Sequence, residues 1–165
     1  PCERVGIEMN NAPTTPSVSE FTQGHACIIG VGADLPNTLT DASGLANLLT
    51  DTGRCAYPKN QVHLLLETRA TRSNIIATLE ALAQTTTPES TVLIYFSGHG
   101  YQILKPLKSY YLMPYGYQID DLSETAISGS EFTDLLREIP AQKLLVILDC
   151  CHAGGLADIS GIEMA

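Results

Sequence analysis

Two short clusters in this chain hold residue types that do nucleophilic chemistry together. Ser97-Gly98-His99-Gly100 presents an imidazole between two glycines, which leave room for a peptide. Asp149-Cys150-Cys151-His152-Ala153-Gly154-Gly155 presents an acid, two adjacent thiols and a glycine pair. A thiol beside an imidazole is the smallest nucleophilic pair, because the ring draws off the proton and the thiolate attacks a carbonyl. Cys151 is the candidate nucleophile. Gly154 and Gly155 beyond it leave space for a substrate backbone, and a turn or helix opening near His152 would bring an amide and a positive dipole end to the sulfur. His99 is the candidate base and the donor of a proton to the leaving amine. Acyl transfer also needs donors for the oxyanion, and the amides of Gly100 and Cys151 are the candidates. Asp149 lies two residues before Cys151, so on an extended chain the two side chains share a face. An acid there serves as a ligand for a cation or as a buried structural acceptor. Cys150 alternates to the opposite face and reads as core, and His152 reads as structural.

Both clusters follow apolar runs, Thr91 to Phe96 and Leu144 to Leu148. Aliphatic runs without alternation predict strands buried on both faces of a sheet, and chemistry in such sheets collects where the strands end. If these two strands are parallel neighbours, His99 and Cys151 stand at one rim. A first strand is expected over 25–32. A helix follows, capped by Thr40 or Asp41, with Ala42, Leu45, Ala46, Leu48 and Leu49 on its apolar side and Gly53 at its end. A second strand is expected over 61–66. Thr71 then caps a helix carrying Ile75, Ile76, Leu79, Leu82 and Ala83. Tyr101 to Tyr117 has the turn chemistry of a hairpin. Ser128 and Glu131 form a capping box for a helix with Phe132, Leu135, Leu136 and Ile139, stopped by Pro140. This order predicts right-handed crossovers and a mainly parallel sheet sandwiched by helices, a three-layer α/β/α domain. Residues 1–23 have three prolines and little periodicity and predict a flexible tail; the domain is expected over 24–165.

Composition narrows the function classes. At 165 residues the chain has the length of one domain, and 44% hydrophobic content provides for a sizeable core. A net charge of −9 argues against a nucleic-acid binder, which needs cationic groups against phosphate. It suits a protein that handles basic groups. No apolar run reaches the length of a membrane span. The five cysteines are odd in number and include no Cys-x-x-Cys pattern, which points to a reducing compartment, the cytoplasm, and away from zinc. Cys27, inside an apolar run, reads as a buried thiol.

The Ser97-Gly98-His99-Gly100 and Asp149-Cys150-Cys151-His152-Ala153-Gly154 clusters resemble the two catalytic signatures of the caspase-like cysteine peptidases. They are most similar to the metacaspase and orthocaspase branch, and the animal form Gln-Ala-Cys-x-Gly is absent. The resemblance spans residues 25 to 158, with the two motifs about fifty residues apart on consecutive strands. It implies the caspase–hemoglobinase fold, with this chain as its large-subunit (p20) part, and thiol endopeptidase activity that pocket acids would direct to basic residues. In metacaspases the aspartate matching Asp149, an aspartate after strand one matching Asp41, and the serine matching Ser97 line the S1 pocket. Two carboxylates there imply cleavage after Arg or Lys. For Asp41, helix capping is the alternative role. The resemblance also implies self-cleavage and a part in programmed cell death.

Two departures from the family pattern bear on cofactors and partners. Thiol chemistry requires no cofactor. Activating calcium in some relatives is held by an aspartate cluster, of which Asp158 fills one position. The acid pair expected before the helix at Phe132 falls on Ile127 and Ser128, and Asp120 and Asp121 lie too early. Six to eight oxygens cannot be gathered, so calcium activation is doubtful. The chain stops soon after Cys151, before the small-subunit (p10) strands that complete the sheet in the family. The expectation is a processed subunit or a fragment whose partner segment covers an otherwise open strand edge. Two other readings stay open: a partner-gated protease of the CHAT or separase type in a signalling or defence assembly, and a non-catalytic caspase-like scaffold.

Overall fold

The structure is a computed structural model that describes residues 21–104 and 108–151. Residues 1–20 of the tail expected over 1–23, and the stretch holding His152, Gly154, Gly155 and Asp158, lie outside the described residues.

Four strands form a parallel sheet: β1 (Gly24–Gly30), β2 (Val62–Leu66), β3 (Thr91–Ser97) and the strand before the thiols, Lys143–Asp149, numbered β7 in chain order. Their order is β2-β1-β3-β7, every neighbouring pair parallel. Alternation divides the sheet residues between two cores. Ala26, Ile28, Leu93 and Tyr95 face helix α1 (Asn37–Thr50), meeting Ala42, Ala46 and Leu49. Cys27, Ile29, Ile94 and Phe96 face α2 (Arg72–Thr85) and α4 (Gly129–Arg137), meeting Ile75, Leu79, Leu82, Phe132 and Leu136. Helices therefore cover both faces, the three-layer α/β/α arrangement expected from the strand–helix order.

The hairpin is present and larger than the sequence indicates. Strands β4 (His99–Ile103) and β5 (Ser109–Met113) pair antiparallel, and the short β6 (Ile127–Ser128), reached through the one-turn helix α3 (Leu122–Thr125), adds to β5. His99 is thus the first residue of a hairpin strand, not part of a free loop.

Helix ends differ from the sequence expectations in four places. Helix α1 starts at Asn37, so neither Thr40 nor Asp41 caps it. Pro36 has no N–H to satisfy and a φ of −61°, so it starts the helix early. It ends at Thr50, before Gly53, whose N–H is instead taken by Asp51 Oδ1 at 2.8 Å. The capping box forms only in half. Ser128 Oγ accepts from the Glu131 N–H at 3.2 Å, but the Glu131 carboxylate reaches Arg72 Nη2 at 2.5 Å. A charged guanidinium is a stronger partner than a backbone amide. Helix α4 stops at Arg137, before Pro140. Thr71 caps α2 as expected, accepting from the Asn74 N–H.

Strand β7 is not buried on both faces among the described residues. It is the last strand of its sheet, and its side chains alternate between half-buried and exposed. Leu144, Val146 and Leu148 pack toward α2 and α4, while Leu145 and Ile147 are 55% and 37% exposed. An apolar run signals that a strand is buried somewhere; it carries no information on what lies beside it.

Candidate active site

Strands β3 and β7 run in register from Thr91↔Lys143 to Ser97↔Asp149. Both clusters therefore leave the sheet at the same end. The chain segments leaving it stay in contact. The Gly98 N–H donates to the Asp149 carbonyl at 3.3 Å, and the Val31 N–H donates to the Ser97 carbonyl at 3.0 Å.

The two glycines flanking His99 have a use beyond sparing a substrate. A Cβ at Gly98 would lie 2.7 Å from Val31 Cγ2. A Cβ at Gly100 would run into the Cys151 carbonyl oxygen and lie 3.2 Å from Cys150 Sγ. These glycines let the protein's own segments close on one another.

One cavity of about 550 Å³ opens here, lined by Asp34, Asp41, Ser97, His99, Asp149 and Cys151 among others. It brings together His99, Cys151 and all three residues expected to bind substrate. Of the expected site residues only Gly100 is not among its lining, lying just behind the Cys151 backbone. The Cys151 side of the cavity is open to solvent, as attack on a peptide requires. Cys150 turns the other way and packs half-buried against the α2–α4 core, and burial pushes its thiol up to about 11. Cys27 is fully buried and pushed up to about 12 by desolvation. Burial thus holds Cys27 and Cys150 in the protonated form, while Cys151 is exposed on the cavity that His99 also lines.

Ser97 and Asp149 share the α1 side of the sheet. The serine, 1% exposed, donates from Oγ to Asp149 Oδ2 at 3.0 Å. Asp41, in the second turn of α1, lines the same cavity. Having no capping task, its carboxylate is available to the cavity. No lysine or arginine lines the cavity among the described residues. The lining therefore carries three carboxylates, one of which, Asp34, is paired with His99.

Two contributors were not recognised in the sequence. Tyr95 lies two residues before Ser97 on the same face of β3, beneath the pocket floor. Burial first, then the carboxylates of Asp149 and Asp41, hold its hydroxyl above the ordinary phenol range. Its signal was the i, i+2 spacing to Ser97. Asp34 lies in the loop after β1, and its carboxylate oxygens approach His99 Nε2 at 2.9 and 3.1 Å. The contact with His99 holds the Asp34 carboxyl below its usual range. Nothing local marks it, since its partner is 65 residues away.

Among the described residues, no group of three or more His, Cys, Asp or Glu is placed to hold a metal ion. Asp120 and Asp121 lie in an exposed turn over Ile119–Asp121. No described helix is long and apolar enough to cross a membrane.

Comparison with known proteins agrees with this geometry. Residues 23–164 match the family model of the caspase domain, peptidase family C14. No curated protein matches the chain. A solved structure, protein GSU0716 from Geobacter sulfurreducens, is similar with a TM-score of 0.62 at 19% identity. The match covers 84% of this chain and 54% of that one, so this chain spans about half the length of its structural neighbour. By the match over nearly its whole length, the chain belongs to the caspase-domain family of cysteine peptidases.

Proposed function

We propose that this chain is the catalytic large-subunit part of a cysteine endopeptidase that cleaves after Arg or Lys. Cys151 attacks the scissile carbonyl, and His99 takes the thiol proton and passes it to the leaving amine. The amides of Gly100 and Cys151 hold the oxyanion. Water then hydrolyses the thioester. Asp149, fixed by Ser97, and Asp41 on the same cavity receive the basic side chain. The observation that carries this reading is the single cavity lined by Asp41, Ser97, His99, Asp149 and Cys151, with carboxylates and no cation.

Self-cleavage at a basic site belongs to the same proposal. So does a small-subunit segment laid along β7, supported by the exposed Leu145 and Ile147 beside the paired core strands. Calcium is not assigned a role.

The test is a fluorogenic peptide panel with Arg, Lys or Asp before the scissile bond, with and without calcium, on wild type and Cys151→Ala. Turnover of Arg and Lys peptides, abolished in the variant, is expected. Preference for Asp would overturn the acidic-pocket reading. Equal turnover in the variant would overturn the nucleophile.

A further inference from the structure

We propose that Asp34 is a positioning residue for His99, holding the ring by Nε2 so that Nδ1 is the nitrogen that exchanges a proton with Cys151. The inference rests on the peptidase reading above and extends it to a residue outside both sequence clusters.

Both Asp34 oxygens lie within hydrogen-bond reach of Nε2, at 2.9 and 3.1 Å. An ionised carboxylate can only accept, so Nε2 must carry a hydrogen. In the neutral ring the bare nitrogen is then Nδ1, the form a base needs. When Nδ1 takes the thiol proton, the Sγ–H bond breaks and the Nδ1–H bond forms. The imidazolium that results lies against the Asp34 negative charge. As the peptide C–N bond breaks, the same proton goes to the leaving amine, and the ring is neutral again. A carboxylate behind an imidazole performs this orientation and charge stabilisation without itself taking the proton.

The loop carrying Asp34 is held for a purpose other than packing. Asp34 is 72% exposed at its side chain, so it fills no core space. Yet the backbone before it is confined. Gly32 has φ +71° and Ala33 φ +58°, a conformation that residues with a Cβ adopt at a cost. The Gly32 N–H donates to Thr38 Oγ1 at 2.9 Å, and that hydroxyl donates to the Leu35 carbonyl at 2.8 Å. Thr38 is buried in the first turn of α1, so the helix anchors the loop. Strain kept in a surface loop by a buried clamp is accounted for if the loop must deliver a side chain to a fixed place. The other ionisable groups around the same cavity are Asp41 from α1 and Asp149, Cys150 and Cys151 from the end of β7. None of these carboxylates makes a hydrogen bond to the ring among the described residues.

The experiment compares wild type, Asp34→Ala and Asp34→Glu, with two readouts. The first is kcat and KM on a basic peptide. Asp34→Ala should lower kcat about 10- to 100-fold with KM changed by less than about twofold, and Asp34→Glu should recover part of the loss. The second is the rate of iodoacetamide modification of Cys151, followed by peptide mass, which reports transfer of the thiol proton to Nδ1 because only the thiolate reacts. Asp34→Ala should slow it several-fold. Unchanged kcat in Asp34→Ala, or a gain in activity, would overturn the proposal. If the wild type cleaves no basic peptide, the peptidase reading falls, and the alkylation rates still decide: equal rates in wild type and Asp34→Ala would sink the role of Asp34.

Discussion

Ser97 and Asp149 are paired across β3 and β7, and the serine hydroxyl is donated to the carboxylate at 3.0 Å on the rim where both site segments begin. The bond aims the carboxylate into the cavity and uses one of its acceptor sites, leaving others for a substrate cation. Asp149→Asn keeps the shape and removes the charge. Its kcat/KM for an Arg peptide should fall roughly 100-fold, about 2.7 kcal/mol, while a peptide with a neutral residue there should lose far less. Steady-state kinetics on the matched pair checks it.

Gly100→Ala should damage the site without unfolding the protein. The added carbon meets the Cys151 carbonyl oxygen, so the nucleophile's backbone must move. A displacement of about 1 Å costs on the order of 100-fold in rate. The expected outcome is that loss in kcat/KM with the thermal midpoint nearly unchanged. A fully active variant would show that the contact is not needed.

The thiols should separate by reactivity. At about pH 8, iodoacetamide should modify Cys151 and spare Cys27 and Cys150 in the folded protein, because burial pushes the last two up to about 12 and about 11. Peptide mass mapping reads this directly. The same shifts set a sign for stability. Thiols raised on folding contribute fully below the ordinary thiol range, and that contribution is lost as pH rises through it toward the folded values. Urea midpoints should therefore fall on the alkaline side.

His25 gives the acid side its own slope. Burial, with His63 adding to it, lowers its pKa, and its Nε2 lies 3.2 Å from Gln61 Nε2. A lowered histidine binds fewer protons folded than unfolded, so stability is present above about pH 6.5 and declines as pH drops through the ordinary imidazole range. His25→Gln should flatten the urea midpoint between about pH 7 and 5.

Arg72 ties α2 to α4 and to the segment before it, through Nη2 to Glu131 at 2.5 Å and Nε to the Ala126 carbonyl at 3.0 Å. Both partners are about one-third exposed at the side chain. Arg72→Met should cost about 1–2 kcal/mol in urea denaturation and leave kcat unchanged.

The sheet and its two helical layers were legible because local pattern suffices for them. Thr91 to Phe96 can bury its side chains only as a strand, and Ile75, Leu79 and Leu82 share a face only as a helix. The rim pairing followed from two similar runs, each ending in glycine and chemistry. What escaped depends on distant partners. Asp34 looks like any loop acid until the fold brings His99 to it. Glu131 promises a capping box until Arg72 outbids the amide. Leu145 and Ile147 read as interior because hydropathy records side-chain type and not strand position. The start of α1 lies ahead of Thr40 and Asp41 because Pro36 initiates the helix, so of the two roles open to Asp41 the capping one falls away.

The seven matched rungs between β3 and β7 act as a ruler for the whole centre. Slipping one strand by a single rung would set Ser97 beside a thiol or a leucine and turn the acid to the far side of the sheet. By contrast, the hairpin and helices joining those strands could grow or shrink without moving either end of the ruler. Descendants of this chain should therefore tolerate insertions between residues 103 and 109 far more readily than the loss of one residue from 91–97 or 143–149.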